Sequence, residues 1–127
     1  MNLLMFNMQE TNRRSQRVAS QIKSEISWLI EHSLRDPDKG FITVTKVRLS
    51  PDLKIASIYY SVLGEEKERE ASHEALSRAK SFLKRELGDR ISLRMVPELR
   101  FFYDDSLDYS NKISNLLNKI NKDESDR

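Results

Sequence analysis

The spacing of hydrophobic residues predicts a long amphipathic helix from about Arg13 to Leu34. At 100° per residue, six aliphatic side chains fall within one arc of about 120°. They are Val18, Ala19, Ile22, Ile26, Leu29 and Ile30. The segment Asp36–Gly40, which contains Pro37, ends this helix because proline and glycine do not easily continue one.

Two strands are predicted next, and they form a hairpin. Residues Phe41–Leu49 read FITVTKVRL and residues Leu53–Val62 read LKIASIYYSV. Both runs are rich in the β-branched and aromatic residues that favour strands. Between them, Ser50-Pro51-Asp52-Leu53 has proline in the second place of a four-residue turn, where its fixed φ is favoured.

The rest of the chain predicts a helix, a strand and a final helix. The second helix spans about Lys67 to Leu87, with Gly88 as its stop. Its apolar arc consists of Ala71, Ala75, Leu76, Ala79, Phe82, Leu83 and Leu87. A third strand, centred on Leu99–Tyr103, follows Pro97. Asp104-Asp105-Ser106 then offers capping oxygens to a last helix. That helix runs to about Asn121, with apolar residues at Ile113, Leu116, Leu117 and Ile120.

This order of elements predicts an α+β fold in which helices cover one face of a three-stranded sheet. We expect a single domain over residues 13–121. Residues 1–12 are expected to be a flexible leader, or else translation begins at Met8. The charged residues 122–127 are expected to be a disordered tail.

Positive charge is concentrated in two segments, although the net charge of the 127-residue chain is only +2. Residues 13–35 carry five basic side chains against two acidic ones, and residues 76–100 carry seven against three. Residues 65–74 are acidic, with two against five. If the basic segments share a face, that face suits nucleic acid, because lysine and arginine neutralise phosphates. Two ordinary solvated helix faces are the alternative interpretation.

The sequence offers little for catalysis. It has no cysteine and only two histidines, His32 and His73, which we interpret as surface residues. Asp104 and Asp105 are adjacent and point in different directions, so helix capping explains them better than acid–base chemistry. Three widely separated glycines cannot form a phosphate loop. We therefore expect no enzyme, no metal and no cofactor. No apolar run approaches the roughly 20 residues of a transmembrane helix.

The aromatic residues are interpreted mainly as core. This applies to Tyr59, Tyr60, Phe101, Phe102 and Tyr103. Trp28 lies on the polar side of the first helix and is expected to pack against a loop or the last helix. The alternative for Trp28 is a platform on which an RNA base stacks.

Several stretches of the chain together resemble the ribosome-binding factor A family. They are RSQRVASQIKSEIS (Arg14–Ser27), the pair Asp36-Pro37, ITVTKVRLSPDLKIASIYYSVLG (Ile42–Gly64) and LRMVPELRFFYDDSLDYSNKISNLL (Leu93–Leu117). The last stretch is the most specific, with an arginine, a Val-Pro-Glu-Leu run, paired aromatics and an acidic-serine cap. The likeness covers over four-fifths of the chain in the right order.

This resemblance implies a KH-like fold of the second topological type and a cytoplasmic, monomeric, non-catalytic factor. It implies binding to the free small (30S) ribosomal subunit and its 16S rRNA near the 5′ end. The implied role is late rRNA processing and subunit assembly, particularly at low temperature. Whether other assembly factors or a GTPase are further partners stays open.

The resemblance also implies how RNA is bound. The family replaces the GXXG loop of KH domains with a helix kink, typically Ala-x-Gly, which falls here on Ala79-Lys80-Ser81. Without GXXG, we expect binding through shape and basic contacts to phosphates. The candidate RNA-binding residues, placed on one face by charge and fold analogy, are Arg13, Arg14, Arg17, Lys80, Lys84, Arg85, Arg90 and Arg94. A generic KH-like RNA-binding module, a protein–protein adaptor and, more distantly, a hydrolase are the alternatives.

Overall fold

The computed structural model describes residues 3–106 and 113–120, with the backbone alone for residues 3–12. Its elements are α1 (Leu3–His32), β1 (Ile42–Leu49), β2 (Ile55–Val62), α2 (Glu66–Arg90) and β3 (Glu98–Tyr103). The strands form one sheet in the order β1-β2-β3, in which β1 and β2 are antiparallel and β2 and β3 parallel. This confirms the predicted α+β class with a KH-like order of elements.

The core lies between one face of the sheet and the two long helices. Alternate residues of β2 are buried: Ala56, Ile58, Tyr60 and Val62. The helices bury Ile22, Ile26, Leu29 and Ile30 from α1 and Ala75, Leu76, Ala79, Leu83 and Leu87 from α2. These residues belong to the two apolar arcs that the periodicity predicted. The one buried polar side chain in the described part of the chain, Ser72, donates a 2.7 Å hydrogen bond to the Lys39 carbonyl oxygen.

The predicted hairpin is confirmed. The Leu53 N–H donates to the Ser50 carbonyl oxygen at 2.9 Å, which closes the turn around Pro51 and Asp52. β2 begins at Ile55 rather than Leu53, because Leu53 adopts a φ of 61° that a strand does not accommodate. A bulge at Thr45, between Val44 and Lys46, shifts the register of β1 and explains the imperfect alternation of its sequence.

The first helix is longer at its N-terminus than predicted. α1 begins at Leu3 instead of Arg13. The prediction relied on the apolar arc, which begins at Val18. Residues 3–12 contain neither glycine nor proline and have many good helix formers, so a helix can begin well before that arc. At its other end, α1 stops at His32. There Lys39 Nζ donates hydrogen bonds to the carbonyl oxygens of Ile30 at 2.8 Å and Leu34 at 3.1 Å, which lie at and just after the end of the helix.

The second helix continues past its predicted stop. Gly88 lies inside α2, which ends at Arg90. A Cβ atom on Gly88 would lie 2.8 Å from Val96 Cγ2, so the glycine permits close packing instead of ending the helix. α2 is also unbroken through Ala79-Lys80-Ser81. Two separate helical segments are therefore not seen there, and a bend within the continuous helix stays a prediction.

Only part of the predicted last helix lies within the described residues. Residues 113–120 are helical, and their four apolar side chains, Ile113, Leu116, Leu117 and Ile120, are all exposed. The tail at residues 122–127 lies outside the described residues. No helix in the described part of the chain is both long and apolar enough to cross a membrane.

Candidate RNA-binding surface

The structure places Arg14 and Arg94 in one cleft, Lys80 and Lys84 on the β3 side of α2, and Arg85 on the other flank of α2. Arg13 and Arg17 lie near Arg14 on α1, and Arg90 lies at the end of α2. Seven of these eight predicted RNA-binding residues are exposed: Arg13, Arg14, Arg17, Lys84, Arg85, Arg90 and Arg94. Lys80 is half-buried. We call the first two of these regions the Arg14–Arg94 cleft and the β3-side cluster, and we define each by its residues below.

The Arg14–Arg94 cleft lies between α1, the hairpin turn and the loop before β3. It is a cleft of about 240 Å³ lined by Arg14, Val18, Leu49, Asp52, Leu53, Lys54, Leu93, Arg94, Met95 and Pro97. Its floor is largely apolar, whereas Arg14, Lys54 and Arg94 supply three positive charges against one carboxylate. Hydrogen bonds, first from the Ser50 hydroxyl and then from the Lys54 N–H, lower the pKa of Asp52. The cleft is therefore suited to an anion with an apolar surface, such as a nucleotide.

Arg90 is attached to α1 through two contacts. Its guanidinium carbon lies 4.2 Å from the centroid of the Trp28 ring, and its Nη1 lies 3.2 Å from Glu25 Oε2. The other contact of Trp28 is the imidazole of His32, stacked at 4.6 Å. Trp28 thus packs against the end of α2. Its ring contacts within the described residues do not include the predicted loop or last helix. Trp28 is 43% exposed. Its ring therefore borders the basic surface, but its two faces are not both accessible.

The β3-side cluster consists of Lys80, Lys84 and Arg100. Lys80 and Lys84 are one turn apart on α2. Lys80 lines a cleft of about 290 Å³ with Arg100 and Phe102 from β3. Its Nζ lies 3.9 Å from Glu98 Oε1, but both side chains are about half exposed, so this ion pair contributes little to stability. The cluster therefore keeps its lysines accessible.

Arg85 belongs to the opposite flank of α2. Its guanidinium lies 5.8 Å from the ring of Phe82. On the same flank, Arg78 binds Asp36 at 3.0 Å and Asp38 at 3.3 Å. Hydrogen bonds from the Asp38 N–H and from the Arg78 guanidinium lower the pKa of Asp36. Arg78 therefore serves to hold the 36–38 loop on α2, and this explains the Asp36-Pro37 motif as a structural one.

The Val-Pro-Glu-Leu run is also structural. Val96 packs against Gly88, and Pro97 and Leu99 are fully buried. The Glu98 N–H donates to the Lys54 carbonyl oxygen at 2.8 Å and so begins the parallel pairing of β3 with β2. The motif places Arg94 and Arg100 at fixed positions on either side of it.

The candidate catalytic groups have structural partners. The side chain of His32 bonds to the Trp28 carbonyl oxygen at 3.1 Å, and that of His73 bonds to the Tyr60 hydroxyl at 2.7 Å. Asp104 accepts hydrogen bonds from the Ser106 hydroxyl and N–H and from Thr45 Oγ1, and these lower its pKa to about 2. Asp104 therefore holds the turn that follows β3. Residues 107–112, through which it was predicted to cap the last helix, lie outside the described residues. Among the described residues, no group of three acidic or histidine side chains could hold a metal ion.

Sequence reasoning missed four basic residues: Lys46, Arg48, Lys54 and Arg100. Each stands in or beside a strand, where basic residues alternate with others. The count by segment included Arg100 but did not single it out, and it did not cover the other three. For Lys46 and Arg48, and for Arg100 beside Phe102, the usable signal was the two-residue period that places side chains on one face of a sheet. Lys54 could not be assigned without knowing that the hairpin turn lies beside α1.

Comparisons with known proteins agree on one family. The family model described as ribosome-binding factor A matches residues 14–117. A ribosome-binding factor A from Macrococcus caseolyticus is 50% identical over 110 residues, which cover 87% of this chain and 96% of the relative. The crystal structure of ribosome-binding factor A from Thermus thermophilus is 34% identical, with a TM-score of 0.64, and covers 70% of this chain and 93% of its own. Similar too is a Thermus thermophilus RbfA homology model fitted into the cryo-EM map of a 30S–RbfA complex. It is 34% identical, with a TM-score of 0.59, and covers 68% of this chain and 91% of its own.

Proposed function

The chain belongs to the ribosome-binding factor A family, and from this premise we propose that it binds the free small ribosomal subunit through 16S rRNA. In this role it holds an rRNA conformation during late assembly and then leaves. It works without turnover of a substrate, in the cytoplasm and as a monomer. Processing near the 5′ end of the rRNA and a stronger requirement at low temperature are part of the proposal.

The observation that carries the proposal is the meeting of Arg14 and Arg94 in one cleft. These residues come from the two separate basic segments of the sequence, and the fold brings both of them to the lining of the same cleft. When cations that are distant in sequence meet at one accessible site, binding of a polyanionic ligand is favoured over the alternative that they are ordinary solvated residues. The Thermus relative fitted into a 30S complex supports the small subunit as that ligand.

We propose that RNA contacts are made mainly to phosphates. Arg13, Arg14, Arg17, Arg90 and Arg94 form the part around the Arg14–Arg94 cleft, Lys80 and Lys84 form the part beside β3, and Arg85 supports binding from the other flank of α2. α2 has no GXXG loop at which a nucleotide backbone could approach closely. Phosphate contacts position a protein on folded RNA without reading its sequence, which suits a factor that recognises the shape of an assembly intermediate.

Co-sedimentation tests this function. The purified chain is centrifuged with isolated small subunits, large subunits and intact ribosomes over a salt series. Selective binding to small subunits that weakens steeply with salt is expected, because each phosphate contact releases counterions. A folded chain that ignores small subunits would contradict the proposal. Binding to a ribosomal particle that is insensitive to salt would favour the protein–protein adaptor instead.

A further inference from the structure

Within the described residues, α1 and α2 pack on one face of the sheet and leave its second face uncovered. Because side chains of a strand alternate between faces, the residues between the buried positions of β2 point away from the core. They are Ile55, Ser57, Tyr59 and Ser61, and all are partly exposed. With Thr43, Lys46 and Arg48 from β1 and Glu98, Arg100 and Phe102 from β3, they form what we call the open face.

Two aromatic rings lie side by side on the open face. Tyr59 of β2 and Phe102 of β3 are directly paired in the sheet register, and their ring centroids are 5.5 Å apart. The Phe102 side chain is 43% exposed, whereas its neighbours Phe101 and Tyr103 pack against the core. The expectation that these aromatic residues are mainly core is thus wrong for Tyr59 and Phe102. An aromatic pair left accessible on a flat sheet face is a platform suited to planar ligands.

Three cations surround the aromatic pair. Lys46 pairs with Tyr59 in the register, and its Nζ lies 4.7 Å from the centroid of the Tyr59 ring. In the next row of the sheet, Arg48 pairs with Ser57, which pairs in turn with Arg100. The strands place one carboxylate on this face, that of Glu98, at 3.7 Å from Arg100. Because both members of this ion pair are about half exposed, Arg100 can exchange it for a phosphate at little cost. A second carboxylate, that of Asp104 directly after β3, bonds to Thr45 and lies close enough to Lys46 for this cation to lower its pKa.

We propose that the open face binds single-stranded RNA, with bases stacked on Tyr59 and Phe102 and phosphates held by Lys46, Arg48 and Arg100. Rings interleaved with cations fit a chain in which bases alternate with phosphates. An apolar protein partner would instead have to desolvate three cations for two rings. This inference rests on the proposed function and extends its surface, because Phe102 and Arg100 line the same cleft as Lys80.

The test uses the full-length chain and a fluorescently labelled, mixed-sequence RNA of about ten nucleotides, within the site sizes of single-strand binders. Anisotropy titrations compare this RNA with a blunt duplex of the same sequence. Phe102→Leu and Tyr59→Leu are each expected to weaken single-strand binding about five- to a hundredfold, since stacking requires an aromatic ring. Phe102→Tyr keeps a ring and should retain the affinity. The matched control is Phe41→Leu, which changes an exposed aromatic residue just before β1. Phe41 bonds through its backbone to Leu63, four positions along the chain from Tyr59, so loss of its ring should have no effect on stacking at Tyr59 and Phe102.

The outcomes separate this inference from the proposed function when co-sedimentation with small subunits is measured in parallel. If the wild-type chain binds subunits but Phe102→Leu and Tyr59→Leu bind the oligonucleotide like wild type, the open face is not an RNA site and the inference is overturned. It is equally overturned if these changes weaken subunit binding while the wild-type chain binds no oligonucleotide, because the occupant is then a protein. If the oligonucleotide requires both rings but subunits are not bound, the proposed function fails and the RNA site on the sheet stands.

Discussion

Arg90 lies over the indole ring of Trp28, with its guanidinium carbon 4.2 Å from the ring centroid, and so connects the last turn of α2 to the polar side of α1. The two residues are far apart in sequence, and each comes from one of the basic segments. Their contact fixes the last turn of α2 on α1, four positions before Arg94, which lines the Arg14–Arg94 cleft. This contact has a direct experimental reporter, because Trp28 is the only tryptophan of the chain.

Arg90→Ala is expected to destabilise the fold modestly. Loss of an exposed cation–π contact costs about 0.5–1 kcal/mol in the free energy of unfolding, and the Glu25 ion pair adds little. Denaturant unfolding followed by Trp28 fluorescence measures the change, and the emission maximum should shift in the folded state. Arg94→Ala, the same substitution in the loop before β3, is the control and should leave the emission unchanged. Identical stability and emission for Arg90→Ala and wild type would contradict the role assigned to this contact.

Gly88→Ala is expected to destabilise the protein although alanine is the better helix former. The added methyl group would lie 2.8 Å from Val96 Cγ2, and overpacking of this kind costs about 1–3 kcal/mol, more than the roughly 1 kcal/mol gained in helix propensity. Chemical denaturation of Gly88→Ala, Val96→Ala and the double variant forms a cycle. The double variant should be more stable than the sum of the single changes indicates, because removal of the valine methyls relieves the clash. A stabilised Gly88→Ala protein would show that Gly88 is merely a poor helix residue.

Asp104 is expected to make the stability depend on pH in the acidic range. Its pKa is about 2 in the folded chain, against an ordinary value of 3.8, because the carboxylate accepts bonds from Ser106 and Thr45. The stabilisation is therefore fully present above about pH 4 and is lost as the pH falls through about 2. An NMR titration of the Asp104 carboxyl group measures this pKa directly. In Thr45→Val the pKa should rise towards 3.8, whereas Thr43→Val, on the same strand, should leave it unchanged.

Charge reversal at Lys80 and Lys84 is expected to weaken binding to small subunits while the domain stays folded. Neither residue belongs to the buried core, so the circular dichroism spectrum should be that of wild type. The affinity should fall, and so should its dependence on salt, because two phosphate contacts are lost. Lys67→Glu changes the charge at an exposed position of the same helix, within the acidic 65–74 segment, and should bind normally. Unchanged affinity of the Lys80→Glu/Lys84→Glu protein would show that these two residues are not part of the RNA-binding surface.

The elements and the core were predictable because their signals are local and repeated. The period of the apolar residues in α1 and α2 identified the buried faces, and Pro51 identified the hairpin turn. Helix ends were less predictable, since they depend on tertiary contacts. Gly88 has the sequence signature of a helix stop, but its small size serves the approach of Val96, which lies eight positions further along the chain.

The candidate surface was only partly predictable for a related reason. A count of charge by segment finds basic residues on helices, where they cluster, and it found Arg14 and Arg94. It does not say that they share a cleft, because that depends on how the elements pack. That Arg85 lies on the other flank of α2 from Lys80 follows from helical spacing alone, and the structure agrees. Cations in strands are separated by residues of the opposite face, so a charge count passes over Lys46 and Arg48, although the two-residue period of a strand could have found them. Only the register of the sheet shows that Arg48 shares a row with Arg100.

The central claim is that the Arg14–Arg94 cleft binds the small ribosomal subunit, and co-sedimentation of an Arg14→Glu/Arg94→Glu variant tests it most directly. A double variant at Lys23 and Arg35, Lys23→Glu/Arg35→Glu, carries the same change in net charge at exposed positions outside the cleft and is the control. We predict that the cleft variant, folded by circular dichroism, loses most of its binding to small subunits at moderate salt, while the control variant sediments with them like the wild-type chain. Equal binding by the cleft variant and the control variant would contradict the claim.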